Sequence, residues 1–266
     1  MIEASQHRPA TPQPQGGFAA AAPYYRQFRS AYSPELFDRV REACALPQGA
    51  RMLDLGCGPG TLAIPFSEHC SYILAIDPEP AMIEEGRRGC AAANVEFRVA
   101  GSDDLSPAMG RFDLVTIGRA FHWMDRAEVL RRLDSMIEPD GAVALFAEPV
   151  LAIAENSWKP GHDRVIAAYR REVEIPPPPD SGASEEGLLL ASPFRRMGRV
   201  STIKTARTPV ESLVGRAFST PGTTPAELDE RAAEFRQALV EALAPFATAE
   251  GVLEISEPQA LIARRP

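Results

Sequence analysis

A glycine-rich turn between an apolar strand and a helix constrains the fold of this chain more than any other feature. Residues 54–60 read DLGCGPG, with glycine at every second position from Gly56 onwards. The turn follows the apolar residues 51–53 and precedes residues 61–66, which we predict to begin a helix. Glycine has no Cβ, so the main chain can turn tightly and a ligand can lie directly against its N–H and C=O groups. The pattern predicts a ligand-binding unit of strand, turn and helix.

The spacing of the glycines excludes one common ligand class and favours another. The dinucleotide fingerprint G-x-G-x-x-G needs its third glycine at position 61, which is Thr61. A second acid, Asp77, ends the apolar residues 72–76 roughly 20 residues after the turn. A carboxylate at the tip of the second strand can accept hydrogen bonds from both hydroxyls of a ribose. The turn and Asp77 together predict a site for a nucleoside-containing ligand.

Strand and helix patterns alternate through the first half of the chain, which is typical of a parallel sheet with helices on both faces. The predicted strands are residues 51–55, 71–77, 95–99, 112–117 and 142–147, and the predicted helices are 60–69, 79–92 and 125–137. Ligands of such sheets bind beyond the carboxyl ends of the strands, where Gly56, Asp77, Ser102 and Arg119 all fall. We expect a turn at 139–141, and two helical pieces, 19–22 and 34–46, before the first strand.

The remaining chain divides at changes in composition. Residues 1–17 are rich in Pro, Gln and Gly and are predicted to be a disordered tail before a core at 18–147. An insertion at 148–195 holds a predicted helix at 156–173 and a stiff polyproline segment at 174–180. The insertion either covers the ligand pocket or lies on the surface without contacting the ligand. Residues 196–266 complete the sheet, with predicted strands 200–203 and 259–263 and helices 209–218 and 225–244.

Composition limits the partners. The net charge of −8 disfavours nucleic acid, whose binders usually carry a basic patch. No apolar stretch approaches the 18 or so residues needed to span a bilayer, so no membrane contact is expected. The four cysteines have neither C-x-x-C nor metal-ligand spacing, which predicts reduced thiols, a cytoplasmic location and no metal. We expect a monomer or a homodimer, and place His7, His69 and His162 on the surface without a role.

Several further motifs carry a family resemblance. They are GSDDL at 101–105, FDLV at 112–115, RAFHWMD at 119–125, and YRQFR and YSP at 25–29 and 32–34. With the glycine turn and Asp77, they resemble the small-molecule class I methyltransferases that use S-adenosylmethionine, particularly the group of trans-aconitate methyltransferase. The resemblance implies an α/β, Rossmann-like fold: a seven-stranded, mostly parallel sheet with helices on both faces and a helical cap insertion.

The resemblance also implies the residues of the site. S-adenosyl-L-methionine would be bound by twelve residues: Tyr25, Arg29, Asp54, Gly56, Gly58, Asp77, Pro78, Met82, Ser102, Asp103, Arg119 and Ala120. Asp103 would take the adenine amino group, with Asp104 as the rival. Tyr25 and Arg29 would approach the methionine end, although Phe28 and Ser30 replace the Tyr and Pro of the family's pattern.

The acceptor pocket is implied at four residues: Tyr32, His122, Trp123 and Trp158. An unperturbed histidine pKa near 6.5 suits a general base, so His122 either orients or deprotonates an acceptor oxygen or merely lines the pocket. The expected activity is methyl transfer to a small metabolite of secondary metabolism, at a carboxylate or hydroxyl oxygen. A nitrogen or carbon acceptor, another reaction of the cofactor, and a cofactor-binding protein without methyl transfer stay open.

Overall fold

The computed structural model describes residues 17–29, 31–171, 180 and 182–266. Ten strands occur in this part of the chain: β1 Ala50–Leu55, β2 Cys70–Asp77, β3 Val95–Val99, β4 Phe112–Gly118, β5 Ile137–Ala147, β6 Arg196–Ser201, β7 Lys204–Thr208, β8 Ala247–Thr248, β9 Gly251–Ser256 and β10 Gln259–Arg264. Seven of them form one sheet in the order β3-β2-β1-β4-β5-β10-β6. The pairs from β3 to β5 are parallel, whereas β10 is antiparallel to β5 and β6. The predicted seven-stranded, mostly parallel sheet is confirmed.

Ten α-helices accompany the strands within the described residues. They are α1 Gly17–Phe28, α2 Pro34–Ala43, α3 Ala63–Phe66, α4 Pro80–Gly89, α5 Arg126–Leu133, α6 Lys159–Tyr169, α7 Glu185–Leu190, α8 Val210–Phe218, α9 Pro225–Leu228 and α10 Ala232–Leu243. Successive side chains of a strand point to opposite faces, so β1, which is buried except at Arg51, contributes side chains to two cores. Met52 packs with Leu36 and Phe66 on one face, while Leu53 packs with Val129 on the other. Helices therefore cover both faces of the sheet.

A second, smaller sheet was not predicted. It has the order β7-β9-β8 and is wholly antiparallel. Its strand β7 reads KTART, whose polar side chains give no apolar alternation for sequence reasoning to detect. The sheet and the helices α6, α8 and α10 build two small cores around Phe235 and Trp158.

Two predicted helices have different bounds because of single backbone positions. The helix expected at 60–69 is only Ala63–Phe66, since Gly60 has a φ of +85° and cannot continue a right-handed helix. The helix expected at 225–244 is divided into α9 and α10, with Asp229 at a φ of +52° between them.

The two N-terminal pieces are also different from the prediction. The first piece, expected at 19–22, is α1, Gly17–Phe28, which continues through Pro23 and includes residues 24–28. Phe28 at the end of α1 packs on Gly215 of α8 so closely that a Cβ there would lie 2.3 Å from its ring. Tertiary packing of this kind overrides the weak helix signal of the sequence.

Three other boundaries are wrong. Strand β6 begins at Arg196 rather than 200, because all six of its residues pair with β10. The turn expected at 139–141 lies within β5, whose register against β4 is irregular there. The helix expected at 156–173 is α6, Lys159–Tyr169.

Parts of two predictions lie outside the described residues: the tail, for residues 1–16, and the polyproline segment, for residues 174–179. Asp180 is described, and its carboxylate binds the guanidinium of Arg126 at the start of α5, at 3.0 Å. None of the helices of the described chain is long and apolar enough to cross a membrane.

Candidate active site

A cleft of about 1060 Å³ opens at the carboxyl ends of the parallel strands. This volume lies at the upper end of the roughly 300–1,000 Å³ of small-molecule pockets. Ten of the twelve residues predicted to bind the cofactor line it: Tyr25, Arg29, Gly56, Gly58, Asp77, Pro78, Met82, Ser102, Arg119 and Ala120. His122 and Trp123 of the predicted acceptor pocket line it as well. The sequence motifs thus meet in one cleft, and their binding roles stay predictions.

The glycine turn is fixed to the end of β2 by its own main chain. The N–H groups of Gly56 and Cys57 both donate to the carbonyl oxygen of Ile76, at 2.9 Å. Gly56 and Gly58 have φ values of +68° and +53°, in the left-handed region that favours glycine. A Cβ on Gly56 would lie 2.6 Å from the Cβ of Ala120, so that position tolerates no side chain.

Gly58 has a different reason to be glycine. The nearest atoms to a Cβ added there are Tyr25 Cε1 at 3.9 Å and Met82 Sδ at 4.0 Å, and all three residues line the cleft. A side chain at this position would therefore occupy the cleft itself. The bare main chain of Gly58 forms a cradle against which a flat or extended ligand can lie.

Asp77 links the turn to the cleft. Its Oδ2 accepts the N–H of Gly58 and its Oδ1 accepts the N–H of Glu79, both at 2.9 Å. Burial raises the pKa of the carboxyl to about 6, against the lowering effect of these two hydrogen bonds. A carboxylate has about four lone-pair sites, so roughly two remain for a ligand in the cleft.

Asp54 lies beneath the turn and does not line the cleft, in contrast to the predicted cofactor contact. It is 1% exposed, and its oxygens accept the N–H of Ala63 at 3.0 Å and the hydroxyl of Thr116 at 2.9 Å. Burial raises its pKa to about 7. Asp54 therefore joins β1, β4 and the start of α3, and it positions the turn without facing the ligand space.

Arg119 follows β4 in an unusual backbone conformation. Its φ is +57°, which costs a residue with a Cβ of order 1–3 kcal/mol and is found mainly at functional sites. Its guanidinium lies over the rings of Tyr25 and Tyr32, at 5.7 and 5.0 Å from their centroids. Its Nε and Nη2 are buried without a hydrogen-bond partner. The fold thus holds two unused cationic donors at this end of β4.

Arg29 is held by the loop after α8. Its Nε donates to the hydroxyl of Ser219 at 2.8 Å and its Nη2 to that of Thr220 at 3.3 Å. The guanidinium also lies over the ring of Tyr25, at 5.1 Å from the centroid. The N-terminal and C-terminal parts of the chain together build this wall.

His122 and Trp123 form another wall. They belong to one 3₁₀ turn, Phe121–Trp123, and their rings lie 4.8 Å apart. Phe18 of α1 contacts Trp123 edge to face, at 5.5 Å between ring centroids. Partial burial and the positive charge of Arg126 lower the pKa of His122 below its usual value. The imidazole is therefore neutral at pH 7, the form that can accept a proton.

Three other predicted residues do not line the cleft. The carboxylate of Asp103 is exposed, and the cleft wall is formed instead by Gly101 and Ser102 of the same turn. Tyr32 is 3% exposed and lies in the apolar core behind Arg119. Trp158 donates its indole N–H to the carbonyl of Leu253 at 2.9 Å and lines a separate, smaller cavity.

Sequence reasoning missed several residues of the cleft. They are Phe18, Ala19, Leu55, Glu79, Pro80, Val99, Gly101, Gly118, Met124, Arg170, Ser219, Thr220 and Pro221. The STPG sequence at 219–222 is a turn signal that could have drawn attention to the loop after α8. Nothing local marks Phe18 or Arg170, which reach the cleft through tertiary packing.

Comparisons with known proteins agree with this geometry. A family model described as a methyltransferase domain matches residues 52–141. Malonyl-[acyl-carrier protein] O-methyltransferase of Enterobacter lignolyticus is 33% identical over 149 residues, covering 53% of this chain and 57% of that protein. Ubiquinone biosynthesis O-methyltransferase of Xanthomonas campestris pv. campestris is 33% identical over 119 residues, 43% of this chain and 49% of that protein.

A solved structure extends the likeness beyond the matched domain. The protein comes from Anaeromyxobacter dehalogenans, and its assignment as a type II methyltransferase is itself provisional. The TM-score is 0.59 at 22% identity, over 90% of this chain and 98% of that one. The chain spans about half the length of the curated relatives it matches. Residues 52–141 of this chain match the model of a methyltransferase domain, and the described chain has the Rossmann-like class I methyltransferase fold.

Proposed function

We propose that this protein transfers a methyl group from S-adenosyl-L-methionine to an oxygen atom of a small molecule, at a carboxylate or a hydroxyl group. The observation that carries the proposal is the pairing of Gly58 with Asp77. Their hydrogen bond places a surface without a side chain next to a carboxylate with spare acceptor sites, both facing one cleft. An adenosyl group needs such a combination, because its ribose offers two neighbouring hydroxyl donors.

The residues present fit the cofactor. Asp77 would accept the ribose hydroxyls, and Gly56 and Gly58 would let the nucleoside lie against the main chain. Tyr25 and Arg29 would hold the amino-acid end, as the resemblance implies. Bound there, S-adenosylmethionine supplies a methyl group already made electrophilic by its sulfonium. The protein's own work is then to hold an acceptor in line and to exclude water, an orientation worth roughly 7–11 kcal/mol in favourable cases.

His122 is the proposed general base. Its lowered pKa keeps the imidazole neutral at pH 7, and it lines the cleft beside Trp123. A hydroxyl acceptor would give its proton to this nitrogen as the methyl group arrives. A carboxylate acceptor needs no base, and His122 would then only orient it.

The preference for oxygen rests on the relatives and the resemblance. Two similar proteins are named O-methyltransferases, and the motifs resemble the trans-aconitate methyltransferase group. The same cofactor half also serves nitrogen and carbon acceptors, so the acceptor atom must be identified by its product.

The test is methyl transfer from radiolabelled S-adenosylmethionine to a panel of small acids, phenols and amines. We expect labelled methyl esters or ethers, with one S-adenosylhomocysteine formed for each product. Labelled amines would contradict the choice of oxygen. Tight binding of S-adenosylhomocysteine without any labelled product would indicate a cofactor-binding protein that transfers no methyl group.

A further inference from the structure

A second cavity of about 200 Å³ adjoins the cleft, and the proposed function assigns no ligand to it. Arg29 and Arg119 line both spaces, so these two side chains stand at the boundary between them. The far wall comes from the insertion and the C-terminal lobe, with Trp158 of the former and Arg216 of the latter. We call this space the arginine cavity, lined by Arg29, Arg119, Glu148, Trp158, His162 and Arg216 among others.

The arginine cavity collects hydrogen-bonding atoms that have no partner within the protein. They are Nε and Nη2 of Arg119, Nε of Arg216 and Oε2 of Glu148. His162 is 7% exposed, which corrects the prediction that it lies on the surface. Its ring is engaged by Asp163, at 3.3 Å from Nδ1, and by a hydrogen bond with the backbone of Leu213, so it is not counted among the unpaired groups. Buried polar atoms are normally paired, so a cluster of unpaired ones around one cavity points to a ligand.

The charges of the cavity favour an anion. Four cationic side chains line it, Arg29, Arg119, Lys159 and Arg216, against the carboxylates of Glu148 and Glu254. Glu254 is already satisfied by both terminal nitrogens of Arg216 and by the hydroxyl of Thr208.

The other carboxylate is only half engaged. Oε1 of Glu148 accepts from Ser256 at 3.2 Å and Lys204 at 3.4 Å, while Oε2 is unpaired. The unpaired donors of the guanidinium groups therefore outnumber the unpaired carboxylate oxygen.

The backbone of Arg119 supports a functional reading. An arginine in the left-handed backbone conformation is strained, and Nε and Nη2 of Arg119 form no hydrogen bond within the protein that would compensate for the strain. Two free N–H donors of a guanidinium match the geometry of a carboxylate.

We propose that the arginine cavity binds a carboxylate of the methyl acceptor, separate from the atom that is methylated. The inference rests on the proposed function and adds the substrate class: an acid anchored by Arg119 and Arg216, whose other end reaches the cleft beside His122. The carboxylate of the cofactor's own methionine end is the competing occupant, and the experiment separates the two.

The experiment measures binding of two pairs of probes to the full chain by calorimetry. The probes are succinate against its neutral diamide, and benzoate against benzamide. Each is titrated into protein saturated with S-adenosylhomocysteine, so that the carboxylate of the cofactor is already in place. We expect each acid to bind at least tenfold more tightly than its amide.

Variants assign that preference to the cavity. Arg216→Gln should weaken acid binding at least tenfold and leave the affinity for S-adenosylhomocysteine within twofold, because Arg216 does not line the cleft. Arg216→Lys, which keeps the charge, should restore part of the loss. The matched control is Arg236→Gln. Arg236 forms an exposed ion pair with Glu211, which belongs to α8, the helix that also holds Arg216.

Several results would overturn the proposal. One is acid binding to the free protein that S-adenosylhomocysteine abolishes, since the cavity would then hold the cofactor's carboxylate. Equal binding of acids and amides is another, and it decides the question on the wild-type protein even if Arg216→Gln does not fold. Unchanged acid binding in a folded Arg216→Gln is a third. Methyl transfer to a neutral acceptor alongside any of these would leave the proposed function standing.

Discussion

Replacing Asp77 by Asn tests whether one carboxylate serves both the turn and the ligand. Its two oxygens already accept the N–H groups of Gly58 and Glu79, so the ribose must use the lone pairs that remain. Two main-chain N–H groups and two ribose hydroxyls would then donate to this side chain. Asn has only one oxygen to accept from them, and its NH₂ group would face a main-chain N–H. We expect the affinity for S-adenosylhomocysteine to fall by about 1–3 kcal/mol, or roughly 5- to 150-fold in Kd.

The same substitution should leave the fold largely intact. The pKa of Asp77 is raised to about 6, so at pH 7 its charged form is a cost to the folded state. Removing that charge stabilises the folded state, and this gain offsets part of the stability lost with the hydrogen bond to the turn. Binding is measured by calorimetry at pH 7, and folding by circular dichroism on the same samples.

The matched control is Asp113→Asn. Asp113 also accepts a main-chain N–H, from Arg51 at 2.8 Å, but it lies on an exposed surface and does not line the cleft. Its substitution should leave the affinity unchanged. A folded Asp77→Asn protein with a Kd within twofold of the wild type would refute the role of Asp77, as would an equal loss in both variants.

Three further changes follow from the site. Gly56→Ala would place a Cβ on a left-handed backbone position, 2.6 Å from the Cβ of Ala120. Urea unfolding should therefore show a free energy of unfolding lower by about 2–5 kcal/mol. The control is Gly161→Ala, where a Cβ would meet nothing within 4 Å, and it should be neutral or slightly stabilising. Asp54 has a pKa raised to about 7 in the folded protein, against ~3.9 unfolded, so its contribution to stability is fully present below pH ~4 and is lost as the pH rises to about 7. Asp54→Asn should therefore flatten the pH dependence of unfolding by up to roughly 4 kcal/mol, and an unchanged slope would contradict the raised pKa. If His122 is a general base, kcat should fall with pH below its lowered pKa, and His122→Ala should lower kcat and remove this dependence; wild-type turnover at saturating cofactor would rule the base out.

The central sheet could be predicted because its strands are buried on both faces. Runs such as residues 72–76 are continuously apolar, and the turns between them carry Gly and acidic residues whose backbone roles can be read directly. The glycine turn and Asp77 were predictable for the same reason, since a main-chain cradle is encoded locally. Strand β7 was not predictable, because its polar side chains hide the pairing.

The rest of the cleft depends on contacts that no local pattern records. Phe18 reaches Trp123 because α1 continues through Pro23, and Ser219 reaches Arg29 because α8 packs beside α1. His162 was wrongly placed on the surface, since an isolated aromatic residue in an insertion does not reveal which core it will join. Burial and long-range packing, rather than residue type, decided these positions.

The most direct test of the central claim is a crystal structure of the protein with S-adenosylhomocysteine. The account predicts the ribose hydroxyls within hydrogen-bond distance of the Asp77 carboxylate, the nucleoside against Gly58, and the amino-acid end beside Arg29. Density for the ligand elsewhere on the protein, or a ribose that makes no contact with Asp77, would contradict it.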